Sequence, residues 1–162
     1  MSTEAGEDHK LVVLDDGQQL PCDLFLGVPK NRAPDVVVAS GLTVDGWVVV
    51  NPRTLETSVP GVFAVGDLAN TGAPKAGVFA EAAARVVAAN ITSMLRSEQP
   101  TARNPGAGSC YVEFGDNRIA RVDVDFFSGP KPTGTFYAPS EAMQEDKKSF
   151  GTTRRARWFA KH

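Results

Sequence analysis

The residues best suited to chemistry in this chain are Gly66 and Asp67, which directly follow an apolar run at residues 62–65. A glycine lets a ligand come close to the backbone, and an aspartate beside it can accept hydrogen bonds from ribose or ribityl hydroxyl groups. Open α/β sheets bind cofactors where their strands end. Residues 57–67 are therefore a candidate cofactor site. An ordinary strand followed by a turn and a helix cap is the alternative interpretation.

Two cysteines, Cys22 and Cys110, supply the other reactive groups. A thiolate is the competent species in redox chemistry, but a cysteine that begins a strand, as Cys110 is predicted to do, is also a common packing residue. Two cysteines make no disulfide framework, so the chain fits a reducing compartment and a cytoplasmic location. His9 and His162 have no Asp, Cys or second His at metal-ligand spacing, so we predict no metal site.

Composition limits the classes of protein to which the chain can belong. Its 162 residues are 42% hydrophobic and 22% charged, which predicts a packed core rather than disorder. A net charge of −2 argues against a nucleic-acid partner. The charge is uneven, because residues 147–162 hold six Lys or Arg and no acid. With Phe150, Trp158 and Phe159 among them, this tail predicts either peripheral membrane contact or a terminal helix whose aromatic face packs on the domain.

Local patterns predict the elements that position these residues. Asp15-Asp16-Gly17 closes an apolar run and predicts a hairpin. Buried strands are predicted at residues 23–28, 47–50 and 62–65, and a short helix at 35–40. A long helix is predicted at 74–96, beginning at Pro74. Its residues Phe79, Ala83, Val86 and Asn90 recur at three- and four-residue spacing and should share a buried face.

The last third of the chain has a different pattern. Residues 97–108 are rich in Pro, Gly and polar residues and predict a linker. Alternation at 110–114 and 118–126, around Gly115-Asp116-Asn117, predicts a β-hairpin. Residues 128–139 predict a loop, and Ser140 is a candidate N-cap for a helix that starts at Glu141.

The order of these elements predicts an α/β fold followed by a small α+β appendage, with the boundary between residues 104 and 105. A dinucleotide fold normally opens on a strand, a Gly-x-Gly-x-x-Gly loop and a helix, because that loop binds the pyrophosphate. The sequence contains no such loop.

Three segments together carry a resemblance to a known family. The order of Asp23-Leu-Phe-Leu-Gly-Val-Pro, the string at residues 57–67 and Pro74-Lys75-Ala76-Gly77 resembles the carboxyl-terminal part of FAD-dependent pyridine nucleotide-disulfide oxidoreductases. The Pro-Lys-x-Gly and Gly-Ser-Cys-Tyr segments look most like the branch of sulfide:quinone oxidoreductase and flavocytochrome c sulfide dehydrogenase. The resemblance implies a partial FAD/NAD(P)-binding, Rossmann-like fold for residues 1–104. It implies a β-hairpin plus helical tail of interface type for residues 105–162.

The resemblance also implies roles for particular residues. Gly66 and Asp67 would hold the ribityl chain of FAD, and the helix that starts at Pro74-Lys75-Ala76-Gly77 would point its amino end at the flavin pyrimidine edge. A helix amino terminus carries roughly half a positive charge, which would stabilise a reduced flavin. Lys75 would add to that charge, or it is a solvated first-turn lysine. Cys110 would be one of two catalytic cysteines that pass sulfide-derived sulfur, and Cys22 would be structural.

Members of the family are more than twice this length, so the chain looks like a carboxyl-terminal fragment, with the amino-terminal glycine-rich half absent. The implied function is a fragment or subunit of a flavin-dependent oxidoreductase that moves two electrons from sulfide to FAD and then to an acceptor, quinone or NAD(P). An NAD(P)H-dependent FAD oxidoreductase fragment and a non-catalytic, self-associating chain are the alternatives. The expected partner is a second copy or a chain that supplies the amino-terminal FAD half, and we expect no turnover from the chain alone.

Overall fold

A computed structural model describes residues 2–5, 10–28 and 31–160. The chain divides into two compact units, Met1–Asn31 and Arg32–His162. Helices and strands are mixed along the chain, which is consistent with an α/β fold. This division, between residues 31 and 32, does not test the predicted domain boundary between residues 104 and 105, which stays a prediction.

The first unit contains a three-stranded antiparallel sheet of β1 (Ser2–Ala5), β2 (Lys10–Val13) and β3 (Gln19–Cys22). The predicted hairpin joins β2 to β3. The N–H of Leu14 donates to the carbonyl of Gln18 at 2.9 Å, and Gly17 has the positive φ of +84° that this turn requires. Cys22 is the last residue of β3 and is half-buried.

The predicted buried strand at residues 23–28 is wrong. The segment forms no regular secondary structure, and Leu24, Leu26 and Val28 are 69%, 83% and 89% exposed. None of the strands that the structure describes pairs with it. An apolar run becomes a buried strand only when neighbouring strands accept its backbone hydrogen bonds.

The second unit begins with α1 (Asp35–Ala39), which is the predicted short helix, followed by β4 (Thr43–Val44) and β5 (Trp47–Val49). β4 pairs with β5 antiparallel, and β6 (Ala69–Asn70) pairs with β5 in parallel. The hydrophobic core lies beside this sheet. Its buried members are Val48, Val50, Leu55, Ala64, Ala69, Ala83 and Val86.

The predicted central strand at residues 62–65 is also wrong. The segment is extended but makes a single bridge, between Phe63 and Glu56. The parallel strand is β6, which follows Gly66 and Asp67 rather than preceding them. Residues 62–65 have the composition of a strand, but their neighbour at residues 55–57 is a short segment between two turns. It offers only two backbone pairings, Thr57 N–H to Val62 O and Ala64 N–H to Leu55 O.

The long helix α2 spans Gly77–Leu95, so it begins three residues after the predicted Pro74. Its buried residues are the predicted ones: Phe79, Ala83, Val86 and Asn90. Within the described ranges, α2 is one helix that by length and composition could cross a membrane. A core helix of a soluble protein passes the same test, and this one has a face buried in the core.

The predicted linker after α2 is held firmly against the rest of the unit. Asn90 is 2% exposed, and its side chain exchanges two hydrogen bonds with Ala102, at 3.1 Å to the carbonyl and 3.0 Å from the N–H. The N–H of Asn104 donates to the carbonyl of Arg53 at 2.7 Å, and the Arg53 guanidinium donates back to the carbonyl of Asn104 at 2.9 Å.

The predicted β-hairpin is confirmed as β7 (Ala107–Glu113) and β8 (Ile119–Asp125). Its turn contains Asp116 and Asn117 at positive φ. The loop prediction holds for residues 128–132 but is wrong from residue 133, because β9 (Thr133–Ser140) adds to β8 as a third antiparallel strand. This edge strand contains glycine and proline and is exposed over most of its length, so it lacks the apolar alternation by which strands are predicted.

The last helix, α3, spans Met143–Phe159. Ser140 therefore ends β9 and does not cap the helix, whose N-cap is Ala142 without a side-chain hydrogen bond. On the hairpin sheet, Arg121 donates through Nε to Asp123 at 2.9 Å and through Nη1 to Asp146 of α3 at 2.8 Å.

The Asp123 carboxylate links stability to pH. Hydrogen bonds from Arg121, and then from the Ser109 hydroxyl, hold the pKa of Asp123 below its ordinary value. The unfolded chain therefore takes up this proton first as the pH falls, so the contribution to stability is present above about pH 4 and declines below it. We expect Asp123→Asn to unfold at lower urea concentration than the parent protein at pH 7, and the difference to shrink below about pH 4. Asp116→Asn is the control, because the Asp116 side chain is 93% exposed; a pH-independent difference for Asp123→Asn would contradict the linkage.

Candidate functional site

Gly66 and Asp67 lie in a single 3₁₀ turn, Gly66–Leu68, between the extended segment and β6. Gly66 has φ +76°, so this turn favours glycine for its backbone conformation. A Cβ atom at Gly66 would lie 3.9 Å from the Cβ of Ala80 on α2, so the turn sits close to that helix. Asp67 is exposed, and its carboxylate forms no ion pair with any residue that the structure describes. It is free to accept hydrogen bonds from a ligand.

Lys75 is exposed, but its ammonium makes specific contacts within the chain. Its ammonium lies 3.7 Å from the centroid of the Trp47 ring, which is cation–π distance. The same group donates to the carbonyl of Asp67 at 2.5 Å and reaches the carbonyl of Ala69 at 3.4 Å. Lys75 therefore ties the Gly66–Leu68 turn to the segment that enters α2, an arrangement that neither sequence interpretation anticipated.

The amino end of α2 is open. The N–H groups of Phe79 and Ala80 donate to the carbonyl of Ala76 at 3.0 and 3.1 Å, and no side chain caps the helix. In residues 31–160, no acceptor meets the N–H groups of Gly77 and Val78. A Cβ atom at Gly77 would meet nothing within 4 Å. The helix start thus presents free donors at the positive end of its dipole.

A groove of about 470 Å³ joins this helix start to the β7 strand and α3. Ala76, Gly77 and Val78 line one side, and Cys110 lines the strand side. Cys110 is half-buried, and its backbone pairs with Val122 of β8. The structure therefore brings Cys110 and the predicted helix start into one groove.

Alternation along β7 indicates which way Cys110 points. A Cβ atom at Gly108 would come within 3.0 Å of Val78, so that face of the strand packs toward α2. Cys110, two residues on, shares this face. Tyr111 is on the opposite face, where its ring lies 5.3 Å from that of Phe150 on α3. Cys110 and Tyr111 nevertheless both line the groove, so the groove borders both faces of β7, which is an edge strand of its sheet. The roles of Cys110, Gly66, Asp67, Pro74, Lys75, Ala76 and Gly77 stay predictions.

Sequence analysis missed Glu81 and the arginines that bind it. Arg154 donates through Nε to Glu81 at 2.8 Å, and Arg157 forms a second ion pair with the same carboxylate. Glu81 is the lone acid of α2 and lies one turn after the helix start. A single acid on a long apolar helix was the one signal in the sequence that could have singled out Glu81. Its partners could not be found in this way, because they lie more than seventy residues further along the chain.

The aromatic residues of the tail separate into two groups. Phe150 packs on Tyr111, whereas Trp158 and Phe159 are 56% and 64% exposed. The ranges that the structure describes hold no cluster of three His, Cys, Asp or Glu side chains that could bind a metal. His9 and His162, weighed as metal ligands above, lie outside the described residues.

Comparison with known proteins identifies the class. The sequence profile of the pyridine nucleotide-disulphide oxidoreductase family matches residues 2–89, which is more than half of the chain. The chain therefore belongs to this family of flavin-dependent oxidoreductases.

Among curated proteins, the chain is similar to the mitochondrial sulfide:quinone oxidoreductase of Schizosaccharomyces pombe (strain 972 / ATCC 24843). The two are 30% identical over 132 residues, which cover 78% of this chain and 29% of that protein. The chain thus spans less than a third of the length of this relative.

Proposed function

We propose that this chain is the part of a sulfide-oxidising flavoprotein that holds the flavin end of FAD and carries one of its two reactive cysteines. The single observation that carries the proposal is the groove shared by Cys110 and the open start of α2. An uncapped helix terminus and a half-buried thiol on the facing strand are the two groups that such a reaction needs close together.

The residues present fit the flavin end of FAD. The exposed carboxylate of Asp67 can accept hydrogen bonds from ribityl hydroxyls. The free N–H groups of Gly77 and Val78 can donate to a carbonyl or an anionic edge. Lys75 acts as a positioning residue, because its ammonium is already held by Trp47 and the carbonyl of Asp67.

The residues present do not include a Gly-x-Gly-x-x-Gly loop for the FAD pyrophosphate. We therefore propose that a second polypeptide segment, on another chain or in a longer protein, supplies that half. FAD, when bound, supplies the two-electron acceptor. Cys110 would supply a thiol to carry sulfide-derived sulfur, and the partner cysteine would come from that second polypeptide segment. Quinone and NAD(P) are the acceptors that the resemblance allows.

A non-catalytic, associating chain is the second candidate, and a specific observation favours it. Leu24, Leu26 and Val28 form a run of largely exposed apolar side chains. Such runs on a protein surface mark association sites. Flavin bound after purification separates the two candidates, because only the first requires it.

Membrane contact through residues 147–162 is a further proposal, as is a cytoplasmic location. The exposed rings of Trp158 and Phe159 support the first, since aromatic side chains beside cations suit an anionic surface.

The test is FAD binding, followed by absorbance at the flavin bands for the chain alone and for its assembly with the pyrophosphate-binding half. We expect weak binding by the chain alone and tight binding by the assembly. Asp67→Asn should weaken binding by about tenfold, since a charged acceptor contributes roughly 1.5–3 kcal/mol per hydrogen bond. Asp116→Asn is the matched control, on an exposed turn away from the groove. An assembly that stays colourless at saturating FAD would overturn the proposal.

A further inference from the structure

Helix α3 packs on the rest of the second unit without adding buried residues to the core. None of its residues is buried. Four of its six half-buried residues, Met143, Lys147, Phe150 and Arg154, recur at three- and four-residue spacing and define the docking face. Two of these four carry positive charge, so apolar burial alone does not account for the attachment.

Ion pairs hold the docking face instead. Arg154 and Arg157 both bind Glu81 of α2, and Lys147 binds Glu113 of β7. The Glu81 side chain is 12% exposed, against 23% for Arg154 and 43% for Arg157. A carboxylate so far removed from water needs its cationic partners, because an unpaired charge there loses hydration without compensation.

The same helix forms one wall of the groove. Lys147, Phe150, Arg154 and Trp158 line it opposite the start of α2 and the Cys110 strand. The only ring contact between α3 and that strand, within the described residues, is the pair Tyr111 and Phe150. Movement of α3 away from Glu81 would therefore remove a wall and widen the groove.

We propose that Glu81, Arg154 and Arg157 form an ion-pair latch that keeps α3 closed on the groove and that rising ionic strength opens it. The Debye length falls from about 10 Å at 0.1 M salt to about 3 Å at 1 M. Salt can reach the latch through Arg157, whose side chain is 43% exposed. The idea that the latch regulates access to Cys110 rests on the function proposed above. The physical existence of the latch does not depend on flavin or on turnover.

Hydrogen–deuterium exchange of the full chain tests the latch without any cofactor. In about 1 M sodium chloride, amides of Met143–Phe159 should exchange roughly tenfold faster than in about 0.05 M, while those of α2 keep their protection. Glu81→Gln should show the fast exchange already at low salt. Glu98→Gln, an exposed acid just beyond α2, is the matched control and should behave as the parent chain.

Arg157→Gln provides a second variant, because the Arg157 side chain is 43% exposed and its replacement is expected to leave the core packing unchanged. It should give an intermediate acceleration that is confined to α3. Equal exchange of α3 in the parent, Glu81→Gln and Arg157→Gln chains at both salt concentrations would overturn the latch. If the flavin-loaded assembly showed no reduction by sulfide but the amides of α3 still exchanged faster at high salt, only the proposed function would be overturned.

Discussion

In a flavin-loaded assembly, Cys110→Ser is expected to abolish sulfide-dependent reduction of the flavin while FAD stays bound. The thiol lies in the groove at the start of α2, on the strand face that packs toward that helix. A serine hydroxyl is the nearest replacement in shape, although smaller, and it neither ionises near neutral pH nor carries sulfur. The measurement is the bleaching of the flavin absorbance band on addition of sulfide under anaerobic conditions, with the retained band reporting bound FAD.

Cys22→Ser is the matched control for this experiment. Cys22 ends β3 in the first compact unit, outside the residues that line the groove, and its replacement should leave reduction unchanged. Unaltered sulfide-dependent reduction in Cys110→Ser would reduce Cys110 to a packing residue. The function would then fall back to that of a generic FAD oxidoreductase, supported by the family match and the Gly66-Asp67 turn.

Asn90→Ala is expected to lower the free energy of unfolding of the chain by about 2–3 kcal/mol. The Asn90 side chain is 2% exposed and makes two hydrogen bonds with the main chain of Ala102. Alanine would leave the half-buried N–H of Ala102 without a partner and would open a small cavity, while the Ala102 carbonyl would keep its hydrogen bond from Arg103 at 2.9 Å. The segment that connects α2 to the hairpin sheet would loosen as a result. Urea unfolding followed by circular dichroism measures the change.

Thr92→Ala is the control on the same helix. Thr92 is exposed, and its hydroxyl donates only to the carbonyl of Ala88 within the helix. Its replacement should change stability by less than about 0.5 kcal/mol. If Asn90→Ala lowered the free energy of unfolding no more than Thr92→Ala does, the hydrogen bonds to Ala102 would not be what fixes the segment between α2 and the hairpin sheet.

The sequence predicted the individual residues of the candidate site but not the long-range contacts between them. The Gly66-Asp67 turn, the start of α2 and Cys110 could each be singled out from residue type, spacing and family resemblance. The ion pairs of Glu81 with Arg154 and Arg157 could not, because they join residues more than seventy positions apart and surface charges carry no periodic signal. The cation–π contact of Lys75 with Trp47 was hidden for the same reason.

The sequence by itself determined the elements whose cause is local. The buried face of α2 follows from apolar residues at helical spacing, and the β7–β8 hairpin follows from alternation around a turn that tolerates positive φ. Only the tertiary structure decided which extended segments pair as strands. Residues 62–65 and 23–28 have strand composition but lack a full partner, whereas β9 has loop composition and gains one from β8. A helix satisfies its backbone hydrogen bonds within its own segment, but a strand depends on its neighbours, which no local pattern records.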